Sequence, residues 1–256
     1  MRARLARVMQ LNSYGPSYGP SCRPRQTEKS NSPIPRARDP SQQACDQQLE
    51  ASKRNNTRAR TRGWGGARNR KYRETTALTF RHAEGILQAM AVAELNGTPL
   101  NRHWTVNYEW CGINDRDGAA FIGRLLAQAS RYARRRGGTF AAVWVREIGA
   151  TNGGHVHIAF HWPRGWRLGS LTRKWIKGAG GRYRKNASCI VPIGGWIDCA
   201  ETSRARYRAN LEILANYMVK GSAKAAADEL GLRMRKPGGR IIGKRCGRTQ
   251  NLGCGV

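Results

Sequence analysis

The chain has 256 residues, with 46 Lys or Arg against 16 Asp or Glu, a formal net charge of +30 and a pI of about 11.2. Such a chain repels itself unless a polyanion is close, so nucleic acid is the leading partner, although non-specific binding to RNA or to a membrane surface fits the same charge. No run approaches the roughly 20 apolar residues of a membrane helix, and Met1 to Gln10 lacks the apolar core and cleavage site of a signal peptide.

Arginine far outnumbers lysine, which suits phosphate recognition by planar, forked donors. The seven cysteines are scattered with no Cys-x-x-Cys pair, as in a cytoplasmic protein with reduced thiols and neither a disulfide frame nor a zinc site.

From Met1 to Arg73 the chain is rich in Arg, Ser, Pro, Gln, Asn and Gly and shows no sustained apolar period, which predicts a disordered basic arm over 1–73. The remainder, 74–256, reads as one domain with a basic C-terminal tail. Ala77 to Leu95 reads as a helix, stopped by Asn96 and Gly97, and Trp104 to Tyr108 as a strand. Gly118 to Arg136 is an amphipathic helix: Phe121, Ile122, Leu125, Leu126, Ala129 and Ala133 recur at three- and four-residue steps, and arginines fill the last turn. Thr139 to Glu147 and His155 to Trp162 are two strands separated by a Gly-rich turn, hence a hairpin. Leu168 to Lys177 reads as a short helix, Ser188 to Ile197 as one or two strands, and Ser203 to Val219 as a last helix with Leu211, Leu214, Ala215 and Met218 on its apolar stripe. This alternation predicts an α+β fold with helices on one face of an antiparallel sheet.

The hairpin carries the chemistry. Side chains on a strand alternate faces, so His155 and His157 point one way while Val156, Ile158 and Phe160 point the other. With the turn centred near Thr151, Glu147 lies across from His155 on the same face, and two nitrogens and a carboxylate surround one point. Mixed nitrogen and oxygen donors suit Mn²⁺ or Mg²⁺, and ligand type alone leaves zinc open. His161 shares the parity but lies about 13 Å beyond His157 at about 3.3 Å per residue. A pair of surface histidines on a half-exposed strand is the plainer reading of the same tripeptide.

Tyr217 and Lys220, three residues apart at the end of the last helix, share a face opposite the Leu211 and Leu214 stripe. A phenol is a weak nucleophile at its usual pKa of about 10 and needs a nearby cation or a metal-polarised target to attack a phosphodiester. Alone, the pair equally describes a half-buried tyrosine beside a solvated lysine.

Together, His155-Val156-His157, Tyr217-x-x-Lys220 and the preceding segment His103 to Tyr108 resemble the three ordered motifs of the HUH rolling-circle replication initiators. The resemblance covers about Ala77 to Asn251. Glu147, eight residues before His155, looks like their acidic third ligand, and Gly243 to Gly247 resembles the tail of plasmid and phage versions. The resemblance implies a five-stranded antiparallel sheet of the HUH, ferredoxin-like type and a Mg²⁺ or Mn²⁺ site. It also implies nicking of single-stranded or melted origin DNA that leaves a free 3′-hydroxyl and a 5′-phosphotyrosine. Only one tyrosine occupies the motif, against a two-tyrosine relay.

Expected roles follow: His155, His157 and Glu147 hold metal, Tyr217 attacks with help from Lys220, and Arg102, Trp104 and Arg146 contact DNA over an open sheet face. Gly238 to Lys244 fits most of a P-loop, but Arg245 stands where Ser or Thr would hold Mg²⁺, so no nucleotide cofactor is expected and strand separation falls to a host helicase in a bacterial cytoplasm. The rivals are an HUH transposase or mobilisation relaxase with the same chemistry, and a basic nucleic-acid binder whose histidines are incidental. Tyr207, on the same helix, is the second choice of nucleophile.

Overall fold

The structure is a computed structural model that describes residues 72–233 and 235–253. The disorder expected over 1–73 therefore falls, apart from Tyr72 and Arg73, outside the described residues. In chain order the elements are β1 (Glu74–Thr75), α1 (Phe80–Leu95), β2 (Arg102–Val106), α2 (Asp115–Arg135), β3 (Ala142–Gly149), β4 (Gly153–Phe160), α3 (Leu171–Gly178) and β5 (Ser188–Pro192). There follow α4 (Cys199–Thr202), α5 (Arg204–Met218), α6 (Lys224–Leu230), β6 (Ile241–Ile242), β7 (Cys246–Arg248) and a 3₁₀ turn at Gln250–Leu252.

Local chemistry explains the starts and stops. Thr79 and His82 close a reciprocal cap at the start of α1. The Asn114 side chain accepts from Asp117 N at 2.9 Å to cap α2. Asp115 and Asp117 then sit at the positive end of that helix dipole and Arg134 and Arg135 at its negative end. Between β3 and β4 the paired residues Gly149 and Gly153 bracket Ala150 to Asn152, and Gly153 adopts φ +59°, which glycine reaches without the strain a Cβ brings.

The five-stranded sheet is antiparallel throughout, in the order β5-β2-β4-β3-β7. The α+β class and the five strands agree with expectation. The tail does not: Cys246–Arg248, expected within a basic C-terminal extension, forms the edge strand β7 against β3. Its three residues are too short for a readable period. The helices are also placed differently, because they cover both faces. Trp104, Val106, Ala142, Trp144, Val156, Ile158 and Phe160 pack with Phe121, Leu125 and Ala129 of α2 and Trp175 and Ile176 of α3. The opposite side, carrying Val143, Val145 and Ala159, packs with Ile86, Ala89 and Met90 of α1 and Leu211, Leu214 and Met218 of α5. β3 and β4 are therefore buried nearly throughout, as near-continuous apolar strands require.

Candidate metal and tyrosine site

The site lies on the α1 and α5 side, where three positions of the two central strands are polar instead of apolar. Glu147 on β3 pairs directly with His155 on β4. Its Oε2 lies 3.7 Å from Nε2 of both His155 and His157. Ligand atoms of all three residues lie within 4.8 Å of one another, and all three side chains are buried, so the group could hold a metal ion.

Two details test that fit. The Gly153 carbonyl accepts from Nδ1 of His155 at 3.0 Å; since a carbonyl can only accept, that nitrogen carries the proton and Nε2 keeps its lone pair facing Glu147. Meanwhile Oε1 of Glu147 is buried with no hydrogen-bond partner among the described residues. A buried anionic oxygen left unpaired is costly, and a cation at the trio relieves it. The residues fit a divalent ion.

Electrostatics agree. Burial alone would raise the Glu147 carboxyl, but its polar surroundings, with the Lys220 ammonium 2.8 Å from Oε2, outweigh it and hold the group well below the usual carboxylate range. Burial lowers His157 despite the pull of Glu147, which keeps the imidazole in its neutral, ligating form.

Tyr217 occupies the last turn of α5, and its Oη lies 3.3 Å from Nε2 of His157. Lys220 comes just past the helix end, as the α5 C-cap is Val219. Its Nζ sits 3.4 Å above the Tyr217 ring centroid and 2.8 Å from Oε2 of Glu147. The structure thus brings together Glu147, His155, His157, Tyr217 and Lys220. One expectation changes: Lys220 is not on a helix face opposite the apolar stripe but follows the helix end, where it is buried, against the alternative of a solvated lysine.

Sequence reading missed His103 and Thr105. On β2, Thr105 pairs with His157, and its Oγ1 lies 3.2 Å from Nδ1 of that histidine. His103 Nε2 lies 3.3 Å from the same nitrogen, and its ring meets Tyr217 edge-on with centroids 6.2 Å apart. Burial, then the charges of His157 and Lys220, push His103 down to about 4. The alternation of His103, Trp104 and Thr105 was visible in sequence, but the pairing of β2 with β4 was not.

The expected DNA contacts are overturned. Trp104 is fully buried on the α2 side, with Nε1 donating to Ser188 at 2.8 Å, and cannot stack on a base. Arg146, also fully buried, donates to the Ile242 and Lys244 carbonyls and pairs with Asp115. Arg102 donates to the Asn101 and Ile197 carbonyls at 2.8 and 2.9 Å. All three have even numbers and so face away from the histidines on strands covered on both sides. The sheet face above the histidines is not open either, since α1 and α5 cover much of it. Tyr207 is buried with its hydroxyl on the Leu100 carbonyl at 3.0 Å, away from the trio. His161 is held at the Pro99 carbonyl, 2.9 Å away.

The P-loop-like stretch is a brace. The Gly238 carbonyl accepts from Ile148 N, and the buried Arg245 guanidinium reaches Gly238, Gly239 and Thr75.

No protein-family model matches the chain, and no curated protein or solved structure is significantly similar to it. Among the described residues, no helix is long and apolar enough to cross a membrane.

Proposed function

We propose that the protein is a metal-assisted, single-tyrosine DNA nicking and strand-transfer endonuclease of the HUH kind that initiates rolling-circle replication. The observation that carries this reading is the 3.3 Å approach of Tyr217 Oη to His157 Nε2, within a group that also holds His155, Glu147 and Lys220. A tyrosine, a buried ammonium and three metal-ligating side chains have no common structural purpose at one point, whereas phosphodiester transesterification uses each.

Glu147, His155 and His157 would hold a divalent ion, Mg²⁺ or Mn²⁺, which when bound would supply charge to polarise and orient the scissile phosphate. Lys220, above the phenol ring, stabilises negative charge on the Tyr217 oxygen as its proton leaves. Tyr217 attacks phosphorus in line; the new bond is phosphorus to phenol oxygen, the broken bond is phosphorus to the 3′-oxygen, and that oxygen takes a proton to become the free 3′-hydroxyl. The phosphotyrosine keeps the ester energy, so the reverse reaction rejoins strands without a nucleotide. The substrate is single-stranded or melted origin DNA, with duplex opening supplied by a host helicase.

Wild type and Tyr217→Phe, incubated with Mn²⁺ and either supercoiled or single-stranded DNA, separate this from a transposase or relaxase by the site cut and from a passive binder by any cutting at all. The expected result is a covalent adduct on a denaturing gel with wild type only. An adduct that persists in Tyr217→Phe removes Tyr217 as nucleophile, and equal cleavage by His157→Ala removes the metal site.

A further inference from the structure

Among the described residues the basic charge is not spread evenly, and one concentration of it lies away from the tyrosine. Between Asp117 and Asp198 the chain contains one acidic residue, Glu147, and that carboxylate is buried among the histidines. The same stretch includes most of α2 and all of α3. On α2, Arg124, Arg131, Arg134 and Arg135 are exposed; on the adjoining α3, Lys174 and Lys177 are exposed. None of the six makes an ion pair with an acid among the described residues.

The two helices form one surface. Arg124 Nε donates to the Ala179 carbonyl, just past α3, at 2.7 Å. Arg124, Arg131 and Arg134 border a shallow depression with Gly178, and Arg131, Arg134 and Arg135 border another with Trp175. Since α2 and α3 pack on the Trp104, Val156 and Ile158 side of the sheet, this surface lies on the face opposite the histidines.

We infer that the α2 and α3 surface is a second nucleic-acid site that holds the phosphate backbone of duplex DNA, separate from the strand presented to Tyr217. A positive face with no internal acid is unfavourable by itself and matches a polyanion. Arg124 to Arg135 span about 16 Å of helix at about 1.5 Å per residue. That equals about five phosphate steps of one strand at about 3.4 Å each. The choice of duplex follows from what the surface lacks. Single-stranded binding relies on aromatic faces for splayed bases. Here Trp175 is buried, and the Tyr132 ring stacks on Trp162. None of the described large apolar side chains that are exposed belongs to α2 or α3.

This surface uses neither Tyr217 nor the metal trio, so its test is independent of catalysis. The full chain carrying Arg131→Gln, Arg134→Gln and Lys177→Gln is compared with wild type by fluorescence anisotropy on a 30-base-pair DNA duplex and on one of its strands, across a salt series. The N-terminal arginines are common to both proteins, so the difference reads the surface. Each lost phosphate contact removes about 0.9 from the slope of log K against log salt. The expected outcome is a duplex slope shallower by about 2 to 3, duplex binding at least tenfold weaker, and single-strand binding and adduct formation on a short single-stranded oligonucleotide unchanged. An unchanged duplex slope, an equal loss on both DNAs, or tighter binding of an RNA duplex of the same sequence overturns the assignment. A retained melting temperature shows that the variant is folded. If wild type forms no adduct yet the duplex loss is seen, the nuclease reading fails and this one stands.

Discussion

Lys220 and the proposed divalent ion would draw on the same carboxylate, and Lys220→Met separates their contributions. The ammonium lies 2.8 Å from Oε2 of Glu147, with the lysine and glutamate side chains only 8% and 6% exposed. Removing one partner of a buried pair strands the other charge, at a cost of about 3 to 5 kcal/mol. For a domain of this size each kcal/mol moves the melting temperature by about 2 to 4 °C, so with EDTA present the variant melts about 6 to 20 °C below wild type. Adding Mn²⁺ supplies the missing positive charge at the trio, and the repulsion between metal and ammonium is gone. Mn²⁺ therefore stabilises the variant more than wild type and binds it at least tenfold more tightly, as melting curves at matched free Mn²⁺ and calorimetric titration show. Equal Mn²⁺-induced shifts in both proteins, or a variant that melts with wild type in EDTA, refute the idea that lysine and metal share Glu147.

His103→Phe keeps the ring volume beside His157 but removes the nitrogen near Nδ1; Mn²⁺ affinity falls about tenfold by titration while the melting temperature in EDTA changes little. Arg146→Met takes the guanidinium from Asp115, which keeps Tyr108 Oη and Ile242 N as donors, and removes the donor from the Ile242 and Lys244 carbonyls; stability falls by about 3 kcal/mol in denaturant melts, with single-strand affinity unchanged because the side chain is buried. Gly153→Ala forces a Cβ into a φ of +59° and against the Glu109 carboxylate, so stability falls by at least about 1 kcal/mol. Burial, with Glu94 adding to it, raises the Tyr207 phenol, and burial does the same at Tyr108. Both phenols stay protonated when folded while the unfolded chain ionises near pH 10, so their contribution is complete below about pH 10 and is lost above it. Tyr207→Phe accordingly flattens the alkaline part of the stability curve, measured by denaturation at a series of pH values.

What could be read from sequence was whatever a local period or spacing encodes. The α2 helix showed in the steps from Phe121 to Ala133, and the facing of Glu147 and His155 followed from a turn centred on Thr151, as their observed pairing agrees. The i to i+3 relation of Tyr217 and Lys220 likewise survives as a contact between ammonium and ring. What failed depended on long-range pairing. Arg102, Trp104 and Arg146 looked available because helices were expected on one face of the sheet only, leaving the other open to DNA. The even-numbered face of β2, β3 and β4 is instead sealed by α2 and α3, and the terminal nitrogens of Arg146 are taken up by Asp115 and by carbonyls about a hundred residues away. Cys246–Arg248 joined the sheet across a similar separation, which no window of sequence reveals.

The placement of the polar cluster also fixes which parts of the site can be rigid. Glu147, His155 and His157 stand on the two central strands, each hydrogen-bonded on both sides, and Gly153 orients His155 through its own carbonyl. Their mutual geometry is therefore set by the sheet ladder and does not await a ligand. Tyr217 instead belongs to the final turn of α5, and Lys220 to the segment just after it, where the helix's own hydrogen-bond ladder ends. In the proposed cycle the phenol must reach phosphorus, carry the DNA end and return it, whereas the metal ligands have no reason to move. A rigid strand pair for the ion and a helix terminus for the nucleophile divide those demands. A disulfide or cross-link that fixes the end of α5 to β4 should then leave Mn²⁺ affinity intact and suppress strand rejoining.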